Sequence, residues 1–132
     1  MEHEKYLLNK RVLVVDDMAS IRMLVKVTLQ QLGATDIEED GNGSAAEKRL
    51  ISRRYDLIIC DWDMPGLTGI ELLKRVRGSE KDKDTPFIML TGMTDKEAVR
   101  DVIAAKVTDY IAKPFTPEIL MNKISRIFSK QS

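Results

Sequence analysis

The chain has 132 residues, 43% of them hydrophobic and 32% charged, enough for one domain with a buried core and too few for two. Its 21 Lys and Arg balance 21 Asp and Glu, so no net field recruits nucleic acid or a membrane surface, and no apolar run approaches the ~20 residues a membrane span needs. The single cysteine, Cys60, excludes an intrachain disulfide, and the single histidine, His3 in a polar tail, argues against a His-based metal site or a serine-hydrolase triad.

Residues 1–10 read as a loosely ordered lead-in without a signal-peptide pattern, which makes the cytoplasm the expected location. Arg11 to Val15 is a short apolar strand ending on Asp16-Asp17. Ala19 to Leu32 is a helix with Ile21, Leu24, Val25, Thr28 and Leu32 inward, and Gly33 stops it. Asp36 to Asp40 is a polar strand suited to a sheet edge. Asn42-Gly43 is a turn, and Ser44 to Ser52 is a helix. Asp56 to Cys60 is a buried strand that runs into Asp61, and Met64-Pro65-Gly66 forbids further pairing. Cys60 within it is a small core residue. Ile70 to Val76 is a helix, and Lys81 to Asp84 is a charge run expected to be a solvated loop. Pro86 to Leu90 is a strand ending on Thr91-Gly92. Asp95 to Lys106 is a helix with Val99, Val102 and Ile103 inward. Thr108 to Ala112 is a strand ending on Lys113-Pro114-Phe115, and Thr116 caps the last helix, with Leu120, Ile124, Ile127 and Phe128 inward.

Five βα repeats with short connections specify an α/β fold: a doubly wound, five-stranded parallel sheet with five helices on its two faces. All strand C-ends then share one edge, where such folds bind ligands. That edge collects Asp16, Asp17, Asp61, Thr91 and Lys113 from four parts of the chain. Like charges ~4 Å apart repel by about 1 kcal/mol in water and about 4 kcal/mol at an effective dielectric of 20, so three carboxylates need a cation. All-oxygen ligation suits Mg²⁺. A cation with open positions, an ammonium and a hydroxyl form a site for phosphoryl oxygens, with a carboxylate as nucleophile. Asp61, alone on the central strand, suits that role, and the adjacent pair suits metal holding.

These residues resemble the receiver domain of two-component response regulators. Val14-Val15-Asp16-Asp17, Asp61 to Gly69, Thr91 and Tyr110 to Phe115 fall in the family's order, over nearly the whole chain, residues 11–130. Trp62 directly after Asp61, and Lys113 to Pro117 before a final helix, look most like the family's single-domain chemotaxis regulators. The resemblance implies a flavodoxin-like three-layer sandwich with strand order 2-1-3-4-5. It implies that Asp61 takes a phosphoryl group from a sensor histidine kinase or phosphotransfer protein. Asp17, Asp61 and the backbone carbonyl of Asp63 would hold Mg²⁺, for which Mn²⁺ is a substitute, with Asp16 assisting through water. Lys113 and Thr91 would bind the phosphoryl, Thr91 and Tyr110 would switch together, and the Lys113–Pro114 bond would be cis. The chain would be a monomer that promotes only its own phosphorylation and dephosphorylation. It would signal to a downstream protein, with the flagellar motor switch as a candidate, through a face bearing Lys96, Arg100, Ile111 and Asn122.

Some positions depart from the family's habit. Asp63 and Met93 stand at variable places that line water's access to the phosphoryl, Met18 and Asp40 differ from common choices, and Gly92 stands where a small residue is usual. Trp62 reads as a site-rim residue and Phe115 as core, while Tyr110 is either a switch or an ordinary half-exposed strand aromatic. Other readings compete. Asp61-x-Asp63 superficially matches the nucleophile motif of Mg²⁺-dependent haloacid-dehalogenase-type phosphatases, but there the nucleophile ends the first strand. Gly41-x-Gly43-x-x-Ala46 fits a dinucleotide fingerprint, but it follows an acidic strand. A phosphate sink, or a receiver of another pathway, keeps the fold and changes the role.

Overall fold

The three central strands of the sheet alternate their side chains between two separate apolar layers. Val12, Val14, Leu57, Ile59, Ile88, Leu90 and Ile111 face one layer, and Leu13, Val15, Ile58, Cys60, Phe87 and Met89 face the other. The computed structural model that shows this describes residues 4–92 and 96–129, the side chains of residues 97 and 98 excepted. Strands β1 (Arg11–Val15), β2 (Asp36–Asp40), β3 (Leu57–Asp61), β4 (Phe87–Thr91) and β5 (Asp109–Ala112) form one parallel sheet in the order β2-β1-β3-β4-β5. Helices α1 (Ala19–Gln31) and α5 (Pro117–Ser129) cover the first layer. Helices α2 (Gly43–Ser52), α3 (Gly69–Arg77) and α4 (Lys96–Ala104) cover the second. β3 and β4 are buried along their whole length, as continuous apolar runs in a two-sided sheet require.

Local chemistry sets the helix ends. The Asn42 side chain accepts the Ala45 N–H at 2.8 Å and starts α2. Thr68 and Glu71 form a reciprocal capping box at the start of α3, a signal the sequence reading passed over. Gly33 leaves α1 at φ +92°, where a side chain would be strained. The polar edge strand β2 is neutralised from both sides: Arg22 and Lys26 pair with Glu39, Arg49 with Glu38 and Asp40, and Arg53 and Tyr55 with Glu38.

The structure corrects several expectations. The described part of the lead-in is not loose: Leu7 is fully buried against the α1–α5 layer, and its N–H donates to Leu32 O at 3.0 Å. The charge run is not simply solvated, because Asp82 is only 4% exposed and pairs with Lys81. The Lys81 ammonium turns inward to the Leu50 carbonyl at 2.6 Å, serving the unpaired C-terminal end of α2. Ile103, placed inward from its spacing, is 56% exposed; the inward residue of that turn is Val102. Ile111, expected on a contact face, is 2% exposed, because on β5 the outward residue is its neighbour Tyr110. His3, Met93 and Asp95 lie outside the described residues.

Candidate functional site

The C-terminal edge of the sheet is built by the strands' own hydrogen bonding, continued one residue beyond their ends. Asp16 N–H donates to Asp40 O at 3.1 Å, Trp62 N–H to Leu90 O at 2.7 Å, and Lys113 N–H to Thr91 O at 2.7 Å. This register brings Asp16, Asp61, Thr91 and Lys113 to the same edge of the sheet. Their separation along the chain is no obstacle, since parallel strands share a direction. Gly69 closes the edge from below: its N–H donates to Trp62 O at 3.1 Å, and a Cβ there would overlap the Asp61 carbonyl and lie 2.9 Å from Trp62 Cα.

Asp16, Asp17 and Asp61 each offer a carboxylate oxygen within 4.8 Å of the others, Asp16 and Asp61 buried and Asp17 exposed. Lys113 Nζ bridges two of them, at 2.8 Å from Asp16 Oδ2 and 3.1 Å from Asp61 Oδ1. The Met18 N–H donates to Asp16 Oδ1 at 2.9 Å, and the Asp63 N–H approaches Asp61 Oδ1 at 3.4 Å. Asp63 itself points to solvent. Thr91 is buried at the end of β4, and the Lys113–Pro114 bond is cis.

The electrostatics follow from this crowding. Burial and then the Asp16 charge push the Asp61 carboxyl above its ordinary value, while Lys113 works against the rise. For Lys113, burial lowers the ammonium, but hydrogen bonds and charges from Asp16 and Asp61 outweigh it and the net shift is upward. Cys60, one position before Asp61, is pushed well up by complete burial and is a packed thiol.

The remaining candidates take definite places. Trp62 is half-buried at the rim; with Thr91, Val99, Val102 and Tyr110 it lines a small pocket beside the site. Tyr110 is 38% exposed, and Phe115 is buried in the α1–α5 layer. Gly43 is accounted for by packing: it is buried at the first turn of α2, where a Cβ would meet the Leu67 carbonyl at 2.5 Å. Two residues at the site escaped the sequence reading. Gly69 follows a turn and begins a helix, a pattern with many causes. Arg22, whose Nη1 donates to the Asp16 carbonyl at 2.6 Å, looks in sequence like any exposed helix cation.

The model of the response regulator receiver domain family matches residues 12–125. The chain belongs to the response regulator receiver domain family. It is 38% identical over 120 residues to the chemotaxis protein CheY of Pseudomonas aeruginosa, an alignment spanning 91% of this chain and 97% of that one. The chemotaxis response regulator CheY4 of Vibrio cholerae superposes with a TM-score of 0.83 at 39% identity, over 89% of this chain and 98% of that one. The receiver domain of the sensor histidine kinase PA1611 from Pseudomonas aeruginosa, solved with a magnesium ion coordinated in its active-site cleft, superposes with a TM-score of 0.81 at 26% identity, over 91% of this chain and 98% of that one. The expected fold, strand order and family therefore stand. The phosphatase reading fails, because here the acidic pair follows the first strand and the lone acid ends the third.

Proposed function

We propose that this chain, with a receiver domain over residues 11–130, is a phospho-accepting regulator in a chemotaxis or motility pathway. A sensor histidine kinase or phosphotransfer protein supplies the phosphoryl group, and the phosphorylated form acts on a protein partner. The observation that carries the reading is the Lys113 ammonium bridging Asp16 and Asp61 beside the open carboxylate of Asp17. The chemotaxis assignment is supported by the relatives' names and their near-full-length alignment.

The donor set fits a hard divalent cation: three carboxylates lie together and one ammonium bridges two of them, leaving negative charge that an all-oxygen ligand shell can use. Asp17, Asp61 and the Asp63 backbone carbonyl are the residues that would hold Mg²⁺, or Mn²⁺ in its place, with Asp16 assisting through water. When bound, the ion supplies positive charge toward the phosphoryl oxygens. The chain's own groups do the rest. An Asp61 carboxylate oxygen attacks phosphorus; the P–O bond forms as the P–N bond to the donor imidazole breaks, and that electron pair returns to the ring. Lys113, already within 3.1 Å of Asp61, meets the charge on the arriving group. The Thr91 hydroxyl binds a phosphoryl oxygen, and its movement lets Tyr110 turn into the adjoining pocket. The chain promotes only its own phosphorylation and hydrolysis. As a monomer it presents Lys96, Arg100, Tyr110 and Asn122, all exposed, to a target for which the flagellar motor switch is the candidate.

The test is a small acyl phosphate with Mg²⁺, followed by intact-mass measurement. The wild type gains one phosphoryl group and Asp61→Asn gains none. Mg²⁺ alone changes Trp62 fluorescence, and Asp17→Ala abolishes the change. A wild type that forms no adduct overturns the reading.

A further inference from the structure

We propose that Arg22 is a positioning residue for the acidic site: its guanidinium, anchored by Glu39, fixes the Asp16–Asp17 turn in the shape that binds a divalent cation. The inference rests on the Mg²⁺ reading of that site.

Arg22 lies half-buried in the first turn of α1. Nη1 donates to the Asp16 carbonyl at 2.6 Å, and Nε donates to Glu39 Oε1 at 2.8 Å. Both bonds come from one rigid planar fork, so fixing one arm aims the other. Glu39 is a firm anchor. It sits on β2 opposite Val14, and its second oxygen accepts from Lys26 Nζ at 2.7 Å. Lys26 is one helical turn beyond Arg22, so α1 grips the strand twice.

The object held is Asp16. It is fully buried, and each of its polar groups is taken by a different part of the fold. Its N–H goes to β2, its Oδ1 accepts from Met18, its Oδ2 accepts from Lys113, and its carbonyl accepts from Arg22. Three of these fix the carboxylate and the strand end. Among the described residues, the Arg22 bond is the one that holds the peptide unit leading into Asp17, whose exposed carboxylate makes no hydrogen bond or ion pair of its own there. Outer groups of this kind orient the residues that touch a metal, and losing one typically costs 10–100-fold in metal affinity.

Charge alone predicts the opposite sign. Arg22 is a cation near a cation-binding site, so on Coulombic grounds its removal tightens Mg²⁺ binding. Positioning predicts that removal weakens it. The experiment is Mg²⁺ titration, by calorimetry and Trp62 fluorescence, of the wild type, Arg22→Met, Glu39→Gln and the double variant, with thermal melts to verify folding. Arg22→Met is expected to bind roughly tenfold more weakly. Glu39→Gln should show a smaller loss, and the double variant should be no weaker than Arg22→Met alone, since both act through one contact. Equal or tighter binding by Arg22→Met overturns the proposal, as does a double variant restored to wild-type affinity, the pattern of two cancelling charges. If Arg22→Met does not fold, unchanged affinity in Glu39→Gln overturns it. A wild type with no Mg²⁺ response overturns the metal reading itself, and the proposal with it.

Discussion

At Asp61 two physical demands conflict. In the proposed role the residue has to be ionised to attack phosphorus, yet burial and the Asp16 charge both favour its protonated form. Because its carboxyl titrates higher in the folded chain than in the unfolded one, the folded state holds more protons between those two values. Stability at this residue is therefore greatest below the ordinary carboxylate value of 3.8 and is lost as the pH rises through the raised value. Asp61→Asn removes the charge, so in metal-free buffer at neutral pH it should melt a few degrees above the wild type, a gain that fades on acidification below the ordinary carboxylate range. With saturating Mg²⁺ the order should narrow or invert, because the wild type keeps a ligand that the variant lacks. Thermal melts across pH, with and without Mg²⁺, measure both effects. A variant less stable than the wild type at neutral pH without metal would show that the Lys113 bridge outweighs the repulsion.

Among the elements, the β3–α3 junction has the least room. The turn after Trp62 folds back so closely that Gly69 touches the backbone at Asp61 and Trp62, and Met89 Sδ on β4 would lie 3.0 Å from an added Cβ. The β3 backbone cannot yield cheaply, since it is paired on both sides. Gly69→Ala should therefore destabilise the fold by roughly 2–3 kcal/mol, the upper range for overpacking, and shift the end of β3 that carries Asp61. Gly92→Ala is the control: among the described residues no atom lies within 4 Å of its added Cβ, so little change is expected. Urea denaturation of the two variants separates backbone contact from loss of glycine flexibility in general.

For the molecule as a whole, two apolar layers sandwich one sheet, and the segment before β1 belongs to the first of them. Leu7 packs there with no exposed surface, and Lys10 lies 5.6 Å above the Phe128 ring of α5. The chain's N-terminal segment and its last helix thus close over the same layer. Leu7→Ala should cost about 2–5 kcal/mol, the range for emptying a buried leucine site, and the chain should still melt in one transition. If guanidinium denaturation showed no loss, the segment would be an ornament on the domain and not part of its core.

The sequence by itself determined the five βα repeats, the two-faced sheet and the edge at which Asp16, Asp61, Thr91 and Lys113 meet. Those features follow from apolar periodicity and from the shared direction of parallel strands, which are properties of short stretches. Tertiary structure decided what depends on contacts between distant stretches. Leu7 became core through partners remote from it in the chain, among them Leu32 and Phe128, whereas its neighbours read as polar loop. Ile111, expected on a contact face, is buried because one step along a strand from the exposed Tyr110 reverses the face. The guanidinium of Arg22 found the Asp16 carbonyl only because α1 lies against the end of β1, and no spacing in the sequence announces a hydrogen bond to a backbone atom. The acids of the site are legible as residue types; the groups that hold them in place are legible only as geometry.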